Sequence, residues 1–286
     1  MSSKKSLFFV FIAAVLFSIG GLCVKVIPWN ALSINSFRSI ISVLMLFAFA
    51  KLTRHKLKLT PGVFAGACAM CATTTLYAMA NKLTTAANTI LLQFSAPVFV
   101  ILFMWFIFKE RPKRLDVVTC LIVFGGIACF FLDSLGSGNM LGNFLALLSG
   151  VGYAWVFLLG KIPGGDPLFS AMLGQTMGGL IGLPWLVRET QFDAVTMTAA
   201  IILGVFQLCF AYIFLTSGIR YAPPVSASLM TGIEPILNPV LVAIVLGEMI
   251  SPLALAGGAV VFVTIMVYNV IGARADKRDL SQGENV

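Results

Sequence analysis

Two charged residues, Arg38 and Glu234, lie inside long apolar stretches of the sequence, where a charge is costly and usually serves a function. A carboxyl group in such surroundings can bind an ammonium group, and it takes up a proton more readily than it does in water. Arg38 is a candidate for the same site, with a structural ion pair or hydrogen bonds to helix ends as the alternative. Both residues are therefore candidates for substrate binding or for coupling to protons.

Uncharged polar residues accompany these charges. Thr231, Glu234 and Asn238 follow i, i+3, i+7 spacing, so they share one face of a helix. Further candidates for substrate binding are Thr74, Tyr77, Asn88, Gln93, Trp155, Gln175 and Tyr212, followed by Asn81, Thr89, Ser95, Tyr153 and Gln207. If these stretches are membrane helices, the alternative for each residue is a hydrogen bond between helices, which is the commoner role of such side chains.

Motifs for enzymatic chemistry are not found in the sequence. It contains no HExxH, no Gly-x-Ser-x-Gly and no pair of aspartates in an apolar run, and its one histidine, His55, lies in a predicted loop. Cys68 and Cys71 form a C-x-x-C pair with no second pair and no histidine nearby. We therefore expect no catalytic residues, no metal, no cofactor and no enzyme activity.

The composition points to a membrane protein. Of 286 residues, 59% are hydrophobic and 10% are charged, which excludes a soluble domain of this length. A spanning helix needs about 20 apolar residues, because each residue rises about 1.5 Å through a core about 30 Å thick. The apolar runs predict an all-α integral membrane protein with ten transmembrane helices, at 6–27, 31–50, 61–80, 84–108, 115–132, 141–160, 167–187, 195–217, 222–246 and 252–272.

The net charge of +8 could suggest nucleic-acid binding, but the basic residues lie in short turns between apolar runs, and no nucleic-acid partner is expected. With the N-terminus in the cytoplasm, 15 of the 19 Lys and Arg residues fall on the cytoplasmic side. Lys25, Lys82 and Arg188 fall outside, and Arg38 lies within a helix. This bias predicts that both termini are cytoplasmic.

An internal repeat is visible when the sequence is aligned with itself. A shift of 138 residues aligns Pro97 with Pro235 and Glu110 with Glu248 without a gap. The prolines fall in the middle of predicted helices four and nine, where Pro97, Pro235 and Pro239 are expected to free backbone carbonyls and kink both helices at matching depths. The two halves are therefore predicted to share one architecture.

The repeat sets the predicted domain organisation. Residues 1–136 form the first five-helix repeat, residues 137–272 the second, and residues 273–286 a polar cytoplasmic tail. Because five is an odd number, the second repeat must enter the membrane in the opposite orientation. Inverted repeats are common in secondary transporters, which bind substrate near the midplane between the halves, so a central cavity is expected.

A proline followed thirteen residues later by a glutamate occurs twice, at Pro97/Glu110 and Pro235/Glu248, and Arg38 lies in the segment NSFRSIISVLML. In these features nearly the whole chain resembles the EamA-type family of the drug/metabolite transporter superfamily. The resemblance implies ten helices in two inverted repeats, a bacterial inner-membrane location, and export of amino acids or related metabolites. Ala96 stands where the second half has Glu234, so the halves are not expected to bind substrate equivalently.

Several functions are compatible with this plan. The sequence has no Walker motif, which favours a secondary carrier over an ATP-driven pump. Few buried charges suit a zwitterionic or weakly polar solute better than a multiply phosphorylated one. We expect an exporter of amino acids or related small metabolites that works by alternating access. A multidrug or lipophilic-cation exporter is the alternative, followed by a channel. The expected partners are the small-molecule substrate, membrane lipid and, as a coupling ion, protons; the chain is expected to be a monomer or a weak dimer.

Overall fold

The computed structural model describes residues 3–111, 113–137, 140–247 and 251–283, and these ranges contain helices and no strand. Segments separated only by a bend or a change of helix type are counted together here as one helix. The described ranges then hold α1 (Ser3–Phe17 and Gly20–Val26), α2 (Ala31–Leu52), α3 (Pro61–Leu83), α4 (Ala86–Gln93 and Ala96–Phe106), α5 (Arg114–Ser137), α6 (Met140–Leu158), α7 (Pro167–Leu186), α8 (Ala194–Ile219), α9 (Pro224–Leu246) and α10 (Pro252–Gly283).

The predicted fold class is confirmed. Seven of these helices, α1, α2, α3, α4, α6, α8 and α9, are long and apolar enough to span a membrane, and α5, α7 and α10 are further apolar helices of the described ranges. The helices begin and end within five residues of the predicted bounds, with one exception. The last helix was predicted to end at 272 and continues to Gly283.

Short polar side chains fix where several helices begin. Each accepts a hydrogen bond from a backbone N–H of the first helical turn, which would otherwise have no partner. The capping residues are Asn30 for α2, Thr60 for α3, Thr85 for α4, Asp166 for α7 and Asp193 for α8. Proline follows the cap of α3 and α7, at a position where its missing N–H costs nothing.

Helix packing follows the repeat. Helix α3 packs against α6, and the equivalent pair in the other half, α8 and α1, is also in contact. The equivalent helices α2 and α7, α4 and α9, and α5 and α10 pack against each other. Exchanging each helix for the one five places along therefore preserves these pairs, as expected for two copies of one five-helix unit.

Glycines permit the closest of these contacts. A Cβ atom on Gly174 of α7 would lie 2.7 Å from the carbonyl oxygen of Ala67 in α3, and one on Gly182 would collide with the backbone of Leu32 in α2. Small residues thus let α7 approach both helices, as is common in membrane proteins.

Helices α4 and α9 are interrupted at equivalent positions. Helix α4 breaks after Gln93 and resumes at Ala96, while α9 passes through a 3-10 turn, Thr231–Ile233, and resumes at Glu234. A shift of 138 residues places one break on the other, and a proline is the second residue of each resumed segment. The matched breaks have a common cause, because proline has no N–H to donate to the preceding turn.

No third interruption occurs at Pro239, within the described part of α9. The backbone of α9 is helical through Pro239, the third predicted kink. Glu248, the glutamate of the second motif, lies outside the described residues.

Candidate functional site

A small cavity lies between the two repeats, next to the breaks in α4 and α9. Its volume is about 30 Å³, which is room for one or two water molecules. It is lined by Phe17, Arg38, Thr73, Thr74, Tyr77, Gln93, Tyr153, Gln207, Leu208, Tyr212 and Glu234. An organic solute does not fit this volume, so the conformation is contracted around the site.

Glu234 provides the carboxyl group of the cavity. It is 5% exposed and begins the second part of α9, directly after the 3-10 turn. Its carboxyl group makes no hydrogen bond or ion pair with any residue in the described ranges, while Tyr77, Tyr153 and Tyr212 lie close enough to interact with it electrostatically. The first turn of a helix stabilises a negative charge. Glu234 is therefore positioned to receive a cation or a proton.

Arg38 provides the positive charge and is 1% exposed. Its Nη2 donates to Asn35 Oδ1 at 2.9 Å and to the carbonyl oxygen of Thr74 at 2.8 Å. Its Nε donates to Asn35 Oδ1 at 3.3 Å and its Nη1 to Gln207 Oε1 at 3.2 Å. These bonds account for four of the five guanidinium N–H groups and connect α2, α3 and α8. One N–H on Nη1 remains for a ligand.

Gln207 belongs to an irregular part of α8. The segment Leu203–Phe210 is a π-helix, a wider turn that often occurs at functional sites. Gly20 lies opposite, in the second part of α1, and a Cβ atom there would lie 3.0 Å from Gln207 Nε2 and 3.1 Å from Tyr77 Oη. The absence of a side chain at Gly20 therefore lets α1 approach the cavity wall.

Gln93 is held by a chain of hydrogen bonds at the break in α4. Its Nε2 donates to Ser149 Oγ at 2.5 Å, and Ser149 Oγ donates to the carbonyl oxygen of Thr73 at 3.1 Å. Helices α4, α6 and α3 are thereby connected through one amide. Because the Gln93 Nε2 group is bound in this way, its orientation at the cavity depends on Ser149.

Aromatic rings form the remaining wall. Phe17 packs edge to face against Tyr212, with ring centroids 5.3 Å apart, and against Tyr153 at 6.2 Å. Tyr153 Oη is buried without a hydrogen-bond partner among the described residues. The cavity therefore combines a carboxyl group, a guanidinium group, two amides and several aromatic faces.

Six of the predicted site residues line the cavity: Arg38, Thr74, Tyr77, Gln93, Tyr212 and Glu234. Five others lie outside it: Asn88, Trp155, Gln175, Thr231 and Asn238. Among these, Asn238 contacts a residue of the cavity wall, since its Nδ2 donates to Tyr77 Oη at 3.5 Å. Thr231 donates to the carbonyl oxygen of Ser228 within its own helix.

The remaining predicted residues make other contacts. Gln175 accepts a hydrogen bond from Ser39 at 2.8 Å, between α7 and α2. Trp155 packs against Phe103, with ring centroids 5.7 Å apart, and Asn88 is buried in the first turn of α4. Gln175 and Trp155 are thus in contacts between helices, and none of the three lines the cavity.

The structure adds residues to the lining. Phe17, Thr73 and Leu208 were not predicted, and Tyr153 and Gln207 were only secondary candidates. Thr73 adjoins the predicted Thr74, which could have indicated it. Phe17 and Leu208 are apolar, and nothing in their sequence context separates them from residues that face lipid.

Contacts between the repeats also hold the two ends of the helix bundle. On the face that carries the ends of α2, α4, α6 and α8, here called the amino-terminal face, His55 Nε2 lies 2.6 Å from Asp166 Oδ2. Lys161 Nζ lies 2.5 Å from Glu110 Oε1 on the same face. Each pair joins a residue of the first repeat to one of the second.

The opposite face is joined in a similar way. Trp29 Nε1 donates to the carbonyl oxygen of Gln191 at 2.6 Å, and the backbone N–H of Asn30 donates to Glu189 Oε1 at 2.9 Å. Asn30 and Asp166, the caps of the equivalent helices α2 and α7, thus occupy matching places in the two sets of contacts. Both ends are tied together in this conformation, in agreement with the small central cavity.

Comparison with known proteins identifies the family. The sequence model of the EamA-like transporter family matches the chain twice, over residues 4–132 and 140–270. An uncharacterized transporter of Bacillus subtilis (strain 168), YwfM, is 25% identical, with 91% of this chain and 92% of that protein covered. An uncharacterized transporter of Clostridium kluyveri is 26% identical, with 96% and 95% covered.

A solved crystal structure has the same fold. It superposes with a TM-score of 0.72 at 15% identity and covers 94% of this chain and 99% of that chain. At that identity the likeness concerns the fold alone. Together with the two matches along the sequence and the helix packing, it leads to one conclusion: the chain belongs to the EamA-like transporter family and is a multi-pass membrane transporter with a two-repeat fold.

Proposed function

We propose that this transporter is a secondary carrier that exports amino acids or related small metabolites by alternating access. The observation that carries the proposal is the Glu234 carboxyl group, which faces the cavity without a hydrogen-bond or ion-pair partner among the described residues, while Arg38 lines the same cavity. Glu234 binds the ammonium group of the solute. The remaining N–H of Arg38, with Gln207 and Thr74 beside it, binds the carboxylate.

The contracted cavity supports a mechanism of alternating access. A solute can reach Glu234 only after the contacts on one face have separated, and it can leave only after those on the other face have done so. The matched breaks at Gln93–Ala96 and Thr231–Ile233 are the natural hinges, because the backbone there is already out of regular α-helical geometry. The two repeats then exchange roles between the inward-open and outward-open states.

The proposed orientation places the amino-terminal face and both termini in the cytoplasm of a bacterial inner membrane. The basic residues of the loops concentrate on this face, in agreement with the positive-inside rule. On the opposite face, Lys25 donates to the carbonyl oxygen of Thr84 and Lys82 to that of Ile27, so both charges are engaged with the protein. The repeats are taken as 1–136 and 137–272, with a polar tail at 273–286.

Protons are the proposed coupling ion. A carboxyl group that exchanges a proton for a substrate ammonium couples the two flows, because both ligands compete for Glu234. Transport by the wild-type protein then depends on the proton gradient. A Glu234→Gln variant that retained activity would have lost this dependence.

A lipophilic-cation exporter is the second candidate. It is favoured by the ring of Phe17, Tyr77, Tyr153 and Tyr212 around Glu234, because aromatic faces attract organic cations. Such a solute has no acidic group. Its transport would therefore survive Arg38→Gln, whereas transport of an amino acid would not.

The proposal is tested with purified protein in two steps. A thermal-shift screen of amino acids, nucleosides and cationic drugs finds the ligand class, because a ligand that binds only the folded protein raises its melting temperature. Counterflow of that ligand in proteoliposomes then separates a carrier, which shows saturable exchange, from a channel. The proposal is refuted if Glu234→Gln leaves the transport rate and its pH dependence unchanged.

A further inference from the structure

A second pocket lies at the amino-terminal face, between the ends of α2 and α8 and the beginning of α7. Its volume is about 170 Å³, more than five times that of the central cavity. Phe49 and Leu168 give it apolar walls, and His55, Asp166 and Arg220 give it ionisable groups. It is large enough for a small organic solute in the conformation described here.

The two charged groups of this pocket, Asp166 and Arg220, differ in the partners that they have. Asp166 Oδ1 accepts hydrogen bonds from the backbone N–H groups of Leu168 at 3.1 Å and Phe169 at 3.2 Å, and Oδ2 lies 2.6 Å from His55 Nε2. The carboxylate is thus fully engaged, at a helix N-terminus that favours its charge. Arg220 makes no ion pair with any residue of the described ranges, and its guanidinium lies 5.7 Å from the ring of Tyr221. Arg220 is also exposed, so its guanidinium is accessible to a ligand, whereas both oxygens of Asp166 already have partners.

The pocket is in line with the central cavity along one helix. Tyr212, which lines the cavity, and Thr216 and Arg220, which line the pocket, follow i, i+4, i+8 spacing, so they share one face of α8. Eight residues of helix correspond to about 12 Å. The apolar wall of the pocket continues into a buried cluster, since Leu168 packs in one cluster with Leu46 and Met172.

We propose that this pocket is a second binding site, in which Arg220 binds the carboxylate of a small solute while Phe49 and Leu168 contact its apolar part. The site holds the solute on the amino-terminal face before the central cavity opens. That the bound solute is also the transported one rests on the proposed function. The binding chemistry itself, a carboxylate with a short apolar chain, rests on the pocket alone.

A cysteine probe measures the charge of the pocket. Ser217 lines it and is half-buried, so Ser217→Cys places a thiol there, and wild-type protein gives the background of native cysteines. When each rate is divided by the rate of the same reagent with a free thiol, an anionic sulfonate-bearing thiosulfonate reagent is expected to label this cysteine severalfold faster than a trimethylammonium-bearing one. Adding Arg220→Gln abolishes the preference. Adding Arg188→Gln, which removes an arginine beyond the other end of α7, leaves it unchanged.

Ligand protection then tests binding. Isovalerate, a branched carboxylate, is expected to slow labelling severalfold, and isoamylamine, which has the same carbon chain and an amine, is not. The protection is lost with Arg220→Gln and persists with Arg188→Gln and with Arg38→Gln, which removes the proposed carboxylate ligand of the central cavity.

Three results would overturn the second site: no protection by isovalerate, equal protection by the amine, or loss of protection with Arg38→Gln, which would locate the carboxylate in the central cavity. The transport assays on Glu234 bear only on the proposed function, so the two proposals can fail separately.

Discussion

The breaks in α4 and α9 have the same backbone plan and different chemistry. In α4 the break is followed by Ala96, which is 1% exposed, and the preceding Gln93 is bound to Ser149. In α9 the equivalent of Ala96 is Glu234, which has no hydrogen-bond or ion-pair partner in the described part of the chain. The two breaks therefore share one backbone design, but only the break in α9 is followed by a carboxylate.

The positive charge at the cavity is also present in only one of the two repeats. Helices α2 and α7 begin at Ala31 and Pro167, which aligns Arg38 with Gly174. Gly174 allows α7 to pack tightly against α3, while Arg38 connects three helices beside the cavity. The difference teaches that the two repeats share a backbone plan and differ in the chemistry of their side chains. In the proposed function, the shared plan allows both halves to bend alike, and the different side chains bind different ends of the solute.

The largest effect is expected from Glu234→Gln. Removing the one carboxylate of the cavity should lower kcat/KM for transport about 100-fold, the equivalent of about 3 kcal/mol for a charge-assisted contact. The measurement is initial uptake into proteoliposomes over a range of substrate concentrations and pH values.

Ala96→Ser is the matched control for this prediction, because it changes the equivalent residue of α4 by one hydroxyl group. It should reduce transport by less than about threefold, since α4 is predicted to supply only a hinge at this position. Equal losses in the two variants would show that the breaks do not differ in function.

Arg38→Gln should have the next largest effect. It leaves Asn35, Gln207 and the carbonyl group of Thr74 without their donor, and unsatisfied buried groups cost about 1–3 kcal/mol each. We expect a lower melting temperature and a loss of amino-acid transport of about 30-fold, near 2 kcal/mol. Arg188→Gln, on the loop after α7, should change neither quantity, and a melting temperature unchanged by Arg38→Gln would contradict the structural part of the prediction.

Ser149→Ala should have a moderate effect through Gln93. Loss of the 2.5 Å hydrogen bond frees the amide to rotate, which should raise KM about fivefold, near 1 kcal/mol, with little change in kcat. Ser170→Ala is the control, since Ser170 donates to the carbonyl oxygen of Val63 away from the cavity. If both variants shift KM equally, Gln93 has no role that depends on its orientation.

His55→Gln should have the smallest effect. The contact with Asp166 is partly exposed, and such pairs contribute about 0–1 kcal/mol. The rate of transport should change by less than about threefold, and Glu189→Gln on the opposite face should do the same. A large effect of one variant alone would show that the two faces are not equivalent barriers.

Much of the fold could be predicted because the bilayer imposes a length on every spanning helix. Apolar runs such as 31–50 and 61–80 therefore gave helices within a few residues of the observed ones, Ala31–Leu52 and Pro61–Leu83. The matched breaks were also predictable, since Pro97 and Pro235 removed a hydrogen bond at equivalent positions. The π-helix was not, because the segment Leu203–Phe210 contains no proline or other residue that marks it.

The site was predictable only where polarity marked it. Arg38, Gln93 and Glu234 stood out as polar groups in apolar runs and do line the cavity. Gln175 is also a polar residue in an apolar run, but it accepts a hydrogen bond from Ser39 in a contact between helices. The sequence does not show which neighbour a polar side chain will contact. Phe17 had no signal, since an apolar wall and a lipid-facing side chain have the same composition.

The π-helix of α8 sets the direction in which the side chains after it project from the helix axis. Each residue of a regular α-helix advances about 100° around the axis, and a π-turn inserts one residue into that sequence of steps. Winding the same residues as a regular α-helix would therefore rotate Tyr212 by about 100°, out of the cavity wall. Deleting one exposed residue of the segment, such as Phe206, would remove the wide turn and leave Tyr212 in place. The one extra residue of the π-turn therefore determines that the face of α8 from Tyr212 to Arg220 points toward the interior of the helix bundle.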